Sequence, residues 1–360
     1  MTAPPSGRVY DLTVRGILRH EGHDAVVLDR NASTVATGVY NLWLEDGGWV
    51  RLGPIVGEDA RTVTRLVESA EPADALAVGK RASWSGIYYR DPADAGLVAQ
   101  DVIVETPVGP APAWLIRPSG NATNNWAIHI HGLASPRAGT LRGVKVAADA
   151  GLVSLVVTYR NDGEGPTVGT GRSTLGATET DDVRAAVRYA IAHGAERIVL
   201  FGWSMGGAIA LQIAADDEFC ATIDRLALDS PVLDWVATID ANCVRAGLPR
   251  RVGVLASPWL GTRLLARLTG MAAEVPLDRF NWMDRAEELL VPTLILQGTF
   301  DRSSPYEVAR RLAEDRRGSV RLETVAADHT LVWNSDPARW KRLATDFLAA
   351  ARSRCAETRE

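Results

Sequence analysis

The chain has 360 residues, 46% of them hydrophobic, which is enough apolar material for a large buried core. Its formal net charge is −5 with acidic and basic residues interspersed, which argues against a nucleic acid or an anionic membrane as the partner. No export signal or bilayer-spanning apolar run is visible, and Cys220, Cys243 and Cys355 match neither a metal site nor a disulfide framework, so we expect a cytoplasmic protein.

Residues 1–96 are predicted to form a small β-rich N-terminal region. Short strand-like pieces dominate it, for example residues 25–29 and 38–44, and we also predict helices at 59–68 and 72–78. Aromatic residues concentrate in the same region, namely Trp43, Trp49, Trp84, Tyr88 and Tyr89. The pattern favours a small core that packs on the rest of the chain.

From residue 97 onward, strand and helix patterns alternate. Residues 101–106 and 113–117 form a predicted hairpin, and further strands are predicted at 126–131, 152–159 and 197–201. Helices are predicted at 141–150 and 178–192, the second with an acidic first turn and an apolar stripe. We therefore assign residues 97–360 to one α/β domain with a mostly parallel, doubly wound sheet.

The pentapeptide GWSMG, residues 202–206, follows the strand 197–201 and leads into the small-residue stretch 207–215. A bare GxSxG pattern is common, but a strand before it and a helix after it are the context that the motif requires. Glycines at its ends leave room for a strained turn that lifts Ser204 to the edge of the sheet. The motif predicts that Ser204 is a nucleophile.

A nucleophilic serine needs a base and an acid that orients the base. Asp301 follows the buried strand pattern 292–298, and His329 follows the strand pattern 320–325. Both residues come just after a strand, where open α/β sheets place their active sites. We predict His329 as the base and Asp301 as the acid; Asp229, after the preceding strand, stays open as the alternative acid, and Asp328 is interpreted as a loop residue.

The order Ser204, Asp301, His329 resembles the α/β-hydrolase superfamily, and the resemblance covers about residues 101–350. Within it, the motifs look most similar to the prolyl-oligopeptidase-like and dienelactone-hydrolase-like bacterial branch, although Ser204 departs from the dienelactone hydrolases. The strand ending in His131 and Gly132 resembles the family's oxyanion loop. The resemblance implies two backbone N–H donors, those of Leu133 and Met205.

The resemblance also indicates where the substrate would enter. Tyr159-Arg160 is similar to a sequence at the entrance of related hydrolases, and a cap insertion is expected at about residues 232–290. Two amphipathic helices are predicted in it, at 234–246 and 258–268, with Trp235, Trp259 and Leu260 on their apolar sides. Arg160, Trp203, Trp235 and Trp259 are the candidate entrance or pocket residues.

The expected function is hydrolysis of a carboxylic ester, or of a related acyl substrate, through a Ser-His-Asp triad and an acyl-enzyme. Thioesterase, peptidase and carbon–carbon bond hydrolase activities use the same triad and stay open, as does a ligand-binding protein without turnover.

A small-molecule acyl substrate is the expected partner, with no membrane and no nucleic acid. No cofactor and no metal are expected; His129 and His131 are interpreted as strand packing and support of the oxyanion loop. For the N-terminal region, two further roles stay open: it could contribute to substrate choice or to a homodimer contact.

Overall fold

A computed structural model describes residues 1–120, 123–249 and 251–350. The chain divides into two compact units. One unit contains Ser6–Arg90 and the short segment Trp333–Pro337, and the other contains Met1–Pro5, Asp91–Val332 and, of the described residues after that segment, 338–350. Two segments that are far apart in sequence therefore build the smaller unit.

The smaller unit is a closed antiparallel barrel with the strand order β1-β2-β5-β4-β3-β6. Its strands are β1 Leu12–His20, β2 His23–Asp29, β3 Tyr40–Leu44, β4 Trp49–Glu58, β5 Thr62–Glu71 and β6 Arg81–Ser85. Alternate residues point inward and build an aliphatic core, with Leu28, Leu42, Val50 and Leu52 among its fully buried members. Closure leaves no unpaired sheet edge.

The helix predicted at 59–68 is wrong, because most of this segment is β5. Val63 and Arg65 point inward, and the buried guanidinium of Arg65 donates hydrogen bonds to the backbone carbonyls of Gly53, Thr34 and Ala36. A charged residue at an inward position breaks the apolar alternation by which a strand is recognised. The helix predicted at 72–78 is also absent, since this segment forms turns.

The larger unit contains an eight-stranded sheet with the order β14-β13-β12-β11-β9-β10-β8-β7. Its strands are β7 Ala99–Thr106, β8 Gly109–Ile116, β9 Asn125–Ile130, β10 Val153–Val156, β11 Arg197–Trp203, β12 Ile223–Asp229, β13 Thr293–Gly298 and β14 Val320–Val325. The strands β9 to β14 are parallel, whereas β7 and β8 form the predicted antiparallel hairpin at one end. The predicted mostly parallel sheet is therefore confirmed.

Helices connect the strands of this sheet, as the sequence predicts. They are α1 Leu141–Asp149, α2 Glu179–Ala192, α3 Met205–Ala214, α4 Trp235–Arg245, α5 Arg251–Gly261, α6 Arg263–Leu268, α7 Tyr306–Asp315, α8 Val332–Ser335 and α9 Pro337–Ala349. Among the described residues, none of these helices has the length and hydropathy that a bilayer-spanning helix needs.

The helices α4 to α6 form the cap insertion between β12 and β13. The single helix predicted at 258–268 is wrong, because the segment contains the end of α5 and all of α6. Thr262, with an extended backbone, separates the two helices, and Pro258 lies inside α5 rather than at its start. Cys220 is an exposed free thiol and Cys243 a half-buried one, whereas Cys355 lies outside the described residues.

Candidate active site

Ser204 occupies a strained turn between β11 and α3. Its φ of 53° and ψ of −116° lie in a region that L-residues rarely adopt. Glycines on both sides make the turn sterically feasible: a Cβ on Gly202 would approach the Gly206 carbonyl oxygen to 2.6 Å, and one on Gly206 would approach the Ile130 carbonyl oxygen to 2.1 Å. The turn therefore depends on the glycines of GWSMG and presents Ser204 beyond the strand end.

The structure brings Ser204, His329 and Asp301 together in one hydrogen-bonded chain. The Ser204 Oγ lies 2.8 Å from His329 Nε2, and His329 Nδ1 lies 2.8 Å from Asp301 Oδ2. The Asp301 side chain is fully buried, whereas the His329 side chain is 20% exposed. If Nδ1 carries the proton donated to Asp301, the Nε2 lone pair accepts the serine hydroxyl proton, and this is the tautomer a general base requires.

Further hydrogen bonds hold the Asp301 carboxylate in its orientation. Its Oδ1 accepts the backbone N–H groups of Ser303 and Ser304, each at 2.8 Å. Its Oδ2 also accepts the side-chain amide of Gln297 at 2.9 Å. With both oxygens engaged, the carboxylate has little freedom to rotate away from the imidazole.

Asp328 connects the loop of Asp301 to the loop of His329. Its Oδ1 accepts the backbone N–H groups of Arg302 at 3.0 Å and of His329 at 2.8 Å, and its Oδ2 accepts Arg302 Nε at 2.8 Å. Burial raises the pKa of Asp328, but these hydrogen bonds and the Arg302 charge outweigh it and lower the pKa below its ordinary value. Sequence reasoning missed this positioning contact; the only signal was an acid adjacent to the histidine.

The alternative acid, Asp229, has other partners. Its Oδ2 accepts the indole N–H of Trp340 at 2.9 Å, and its Oδ1 accepts the Ser230 hydroxyl at 3.0 Å. Burial raises the pKa of this carboxyl group. Ser230 Oγ in turn accepts the backbone N–H of Thr330 at 3.0 Å, so Asp229 supports the histidine loop from behind.

The loop after β9 approaches the serine closely. A Cβ on Gly132 would lie 3.1 Å from Ser204 Cβ, and Leu133 is the next residue. Met205 is the first residue of α3, where backbone N–H groups have no acceptor within the helix and the helix dipole is positive. The N–H groups of Leu133 and Met205 thus belong to the two segments that flank Ser204, where a carbonyl oxygen of a substrate would become negative.

A buried polar network lies behind this loop. His131 Nε2 donates to the carboxylate oxygen Oδ2 of Asp162 at 3.0 Å. The single proton of the Tyr159 hydroxyl is shared among three acceptors, namely His131 Nδ1 at 3.0 Å and the carbonyl oxygens of His131 at 3.0 Å and Gly132 at 3.2 Å. Burial, with the charge of Asp162 next, raises the pKa of Tyr159 well above its ordinary value, so the hydroxyl stays a donor. Because a peptide unit is planar, fixing the Gly132 carbonyl also fixes the direction of the Leu133 N–H.

The Tyr159→Phe substitution tests this coupling. We expect kcat for a soluble ester to fall by about tenfold with an unchanged KM, because a less rigid loop weakens a donor that acts in the transition state. Steady-state kinetics measure both constants. Tyr189→Phe is the matched control, since Tyr189 is half-buried in α2 and stacks on His193. A Tyr159→Phe enzyme with wild-type kcat would contradict the assigned role.

Asp162 makes the same network sensitive to pH. Burial raises its pKa, but hydrogen bonds from His131, Gly165 and Tyr159 lower it to below the ordinary value of 3.8. Its ionised form therefore stabilises the fold above that value, and this contribution is lost as the pH falls through the lower, folded-state pKa. In an Asp162→Asn variant, the NH₂ group of the amide would also face N–H groups that now donate hydrogen bonds to the carboxylate.

We expect Asp162→Asn to lower the free energy of unfolding by about 1–3 kcal/mol near neutral pH, with a gap to wild type that narrows below about pH 4. Urea unfolding followed at a series of pH values measures this gap. A constant gap at every pH would show that the loss does not come from the carboxylate charge.

The four candidate entrance residues lie in different surroundings. Arg160 is buried and pairs with Asp182 through Nε at 2.7 Å and Nη2 at 2.6 Å. Trp203 and Trp235 are buried at 3% and 1% exposure, whereas Trp259 on α5 is 47% exposed. The structure therefore places the first three side chains in the interior and leaves Trp259 at the surface.

His129 in β9 and His131 just after it are both buried, and each has a hydrogen-bond partner in the core. His129 is fully buried, stacks on Phe201 and lies 3.1 Å from the Ser154 hydroxyl, and burial lowers its pKa to about 3. His131 binds Asp162, as described above. In the described ranges of the chain, no group of three or more His, Cys, Asp or Glu side chains is arranged to hold a metal ion.

Two family models match the chain. Residues 13–85 match a domain of unknown function, DUF8805, which corresponds to most of the barrel strands. Residues 127–343, well over half of the chain, match the alpha/beta hydrolase family.

The chain is also similar to individual proteins in sequence and in fold. The chain is 28% identical over 199 residues to human Protein ABHD12B, which covers 54% of this chain and 50% of that protein, so the chain spans about half the length of this curated relative. Its fold resembles two crystal forms of the Pyrococcus furiosus esterase Pf2001, with TM-scores of 0.56 and 0.55 at 19% and 20% identity, covering 72% of this chain in both cases and 96% and 93% of that protein. The chain belongs to the α/β-hydrolase family.

Proposed function

We propose that this protein is a serine hydrolase that cleaves carboxylic esters through a covalent acyl-enzyme. The observation that carries the proposal is the unbroken chain from Ser204 Oγ through His329 to Asp301, with two contacts of 2.8 Å. Geometry of this kind activates a serine hydroxyl, which is a poor nucleophile at its ordinary pKa.

Each group has a defined part in the reaction. His329 Nε2 takes the Ser204 proton as Oγ attacks the ester carbonyl carbon, and Asp301 stabilises the imidazolium that forms. The carbonyl oxygen becomes an oxyanion, which accepts hydrogen bonds from the N–H groups of Leu133 and Met205. His329 then gives its proton to the departing alkoxide, and a water molecule activated by the same nitrogen releases the carboxylic acid and restores Ser204.

Three considerations support an ester as the substrate class. The structurally similar Pyrococcus furiosus protein is named an esterase. The sequence contains no propeller repeat of the kind that accompanies the family's oligopeptidases. An alcohol also leaves more readily than an amine, so an ester is the less demanding substrate for the same three residues.

The first test is labelling with a fluorophosphonate probe, followed by mass mapping of the modified peptide. We expect modification at Ser204 in the wild type and none in the folded Ser204→Ala variant. A short and a long alkyl probe should be compared, so that exclusion by the cap is separated from an unreactive serine. A folded wild type that reacts with neither probe would overturn the proposal and favour a ligand-binding role.

A panel of matched acyl esters, thioesters and anilides then separates the reaction classes. We expect the highest kcat/KM on esters. A preference for thioesters or anilides by more than tenfold would replace the ester assignment while leaving the serine mechanism in place.

A further inference from the structure

The cap contains a segment of unusual charge. The 33 residues from 241 to 273 include five arginines and no aspartate or glutamate, in a chain whose formal net charge is −5. The net charge of the whole chain argues against an anionic membrane, but charges separated by more than about 8 Å are largely screened at physiological salt. A binding surface therefore responds to its local charge, which is positive here.

The helix α5 presents apolar side chains to solvent. Val252, Leu255 and Trp259 are 36%, 71% and 47% exposed, and their spacing of three and four residues aligns them along one face of the helix. A surface helix of a globular protein normally turns such a stripe toward the core. This stripe is instead solvent-exposed.

The next helix, α6, combines apolar and basic exposed residues. Leu264 and Leu268 are each 69% exposed, and Arg263 and Arg267 lie exposed beside them in the sequence. Within the described part of the chain, neither of these arginines pairs with an acid. Arg310, by contrast, pairs with both Glu307 and Glu314, which is the arrangement of an ordinary solvated helix.

We propose that the exposed faces of α5 and α6, here called the cap surface, dock on an anionic lipid bilayer. Aliphatic side chains and a tryptophan enter the boundary between headgroups and acyl chains, and arginines bind the lipid phosphates. Arginines without acidic neighbours complement a negative surface. Nucleic acid fits less well, because the four exposed aliphatic side chains described above have no favourable contact with a phosphate backbone.

The cap surface is connected to the candidate active site through α4. Asn242 Nδ2 donates to Ser303 Oγ at 3.0 Å, and the backbone N–H of Ser303 donates to Asp301. Phe300, which precedes Asp301, is itself 67% exposed.

Flotation of the full-length protein with vesicles tests the docking. Vesicles of phosphatidylcholine alone are compared with vesicles in which part of it is replaced by phosphatidylglycerol, at low and at high salt. We expect binding to the anionic vesicles that weakens with salt. Arg263→Glu combined with Arg267→Glu should weaken binding at least tenfold, because each basic residue near the surface contributes about 1 kcal/mol.

Matched variants separate docking from general effects. Leu255→Ser with Leu264→Ser should also reduce binding, whereas Arg311→Glu with Arg317→Glu, and Val98→Ser, which alter exposed residues elsewhere, should not. Absence of binding, an equal loss with the control variants, or burial of the cap surface in a dimer seen by sedimentation would overturn the proposal. Binding by the Ser204→Ala variant keeps this result independent of hydrolysis, and the cap variants should retain activity on a soluble ester.

Discussion

Replacement of Ser204 by alanine is expected to lower kcat on esters by about 10⁴- to 10⁶-fold and to leave the fold intact. Alanine removes only the Oγ atom that lies 2.8 Å from His329 Nε2. The backbone contacts of the turn are unaffected, since the Ser204 carbonyl accepts the N–H groups of Gly207 and Val232. Steady-state kinetics measure the loss, and circular dichroism and thermal unfolding verify the fold.

Ser135→Ala is a suitable control for this experiment. Ser135 is half-buried, follows Leu133 by two residues, and its hydroxyl makes only a long 3.3 Å contact with the Pro136 carbonyl. It should retain wild-type kcat. If Ser204→Ala retained more than about 1% of wild-type kcat, a different nucleophile would have to carry the reaction.

Replacement of Asp301 by asparagine is expected to lower kcat by about 10⁴-fold near neutral pH. The amide keeps the size of the carboxylate but turns either its oxygen or its NH₂ group toward His329 Nδ1. It also removes the negative charge that stabilises the imidazolium, and the wrong tautomer becomes accessible. The hydrogen bonds that Asp301 accepts from Ser303 and Ser304 use one oxygen, which asparagine retains.

Asp229→Asn is the matched comparison, since both acids follow neighbouring parallel strands. We expect its kcat to lie within a few-fold of wild type, because Asp229 binds Trp340 and Ser230 rather than the imidazole. Its raised pKa means that the buried charge disfavours folding at neutral pH, so the neutral amide should cause little loss of stability. Equal losses of kcat in the two variants would show that the assignment of the acid is incorrect.

The choice between these two acids illustrates the limit of the sequence. A strand pattern places Asp229 and Asp301 at the same sheet edge, one strand apart, and periodicity does not distinguish them. The conformations of the loops determine which acid reaches His329. A Cβ on Gly298 would approach the Ala327 carbonyl oxygen to 2.3 Å, which shows how closely the loops after β13 and β14 pack. Ser204 was predictable because GWSMG lies between a strand and a helix, and His329 because it follows a strand and the chain has only six histidines.

The errors of the sequence analysis have a common origin. The strand β5 was missed within 59–68, where the charged Arg65 points into the barrel, and the apolar pattern of α5 did not reveal that Trp259 on its apolar side is 47% exposed. Local pattern rules assume that apolar residues face inward and charged residues outward. Where the chain breaks that assumption, only tertiary contacts reveal the orientation.

The barrel is not a detachable module. The segment Trp333–Pro337 belongs to it, and the fully buried Asn334 donates hydrogen bonds to the Val39 and Gly86 carbonyls at 2.8 and 3.0 Å. The chain thus enters the barrel a second time only four residues after His329. A protein trimmed to residues 97–360 would leave Asn334, five residues after His329 in the sequence, without these acceptors. Exchange of the N-terminal barrel for another domain would therefore have to preserve acceptors for the Asn334 amide.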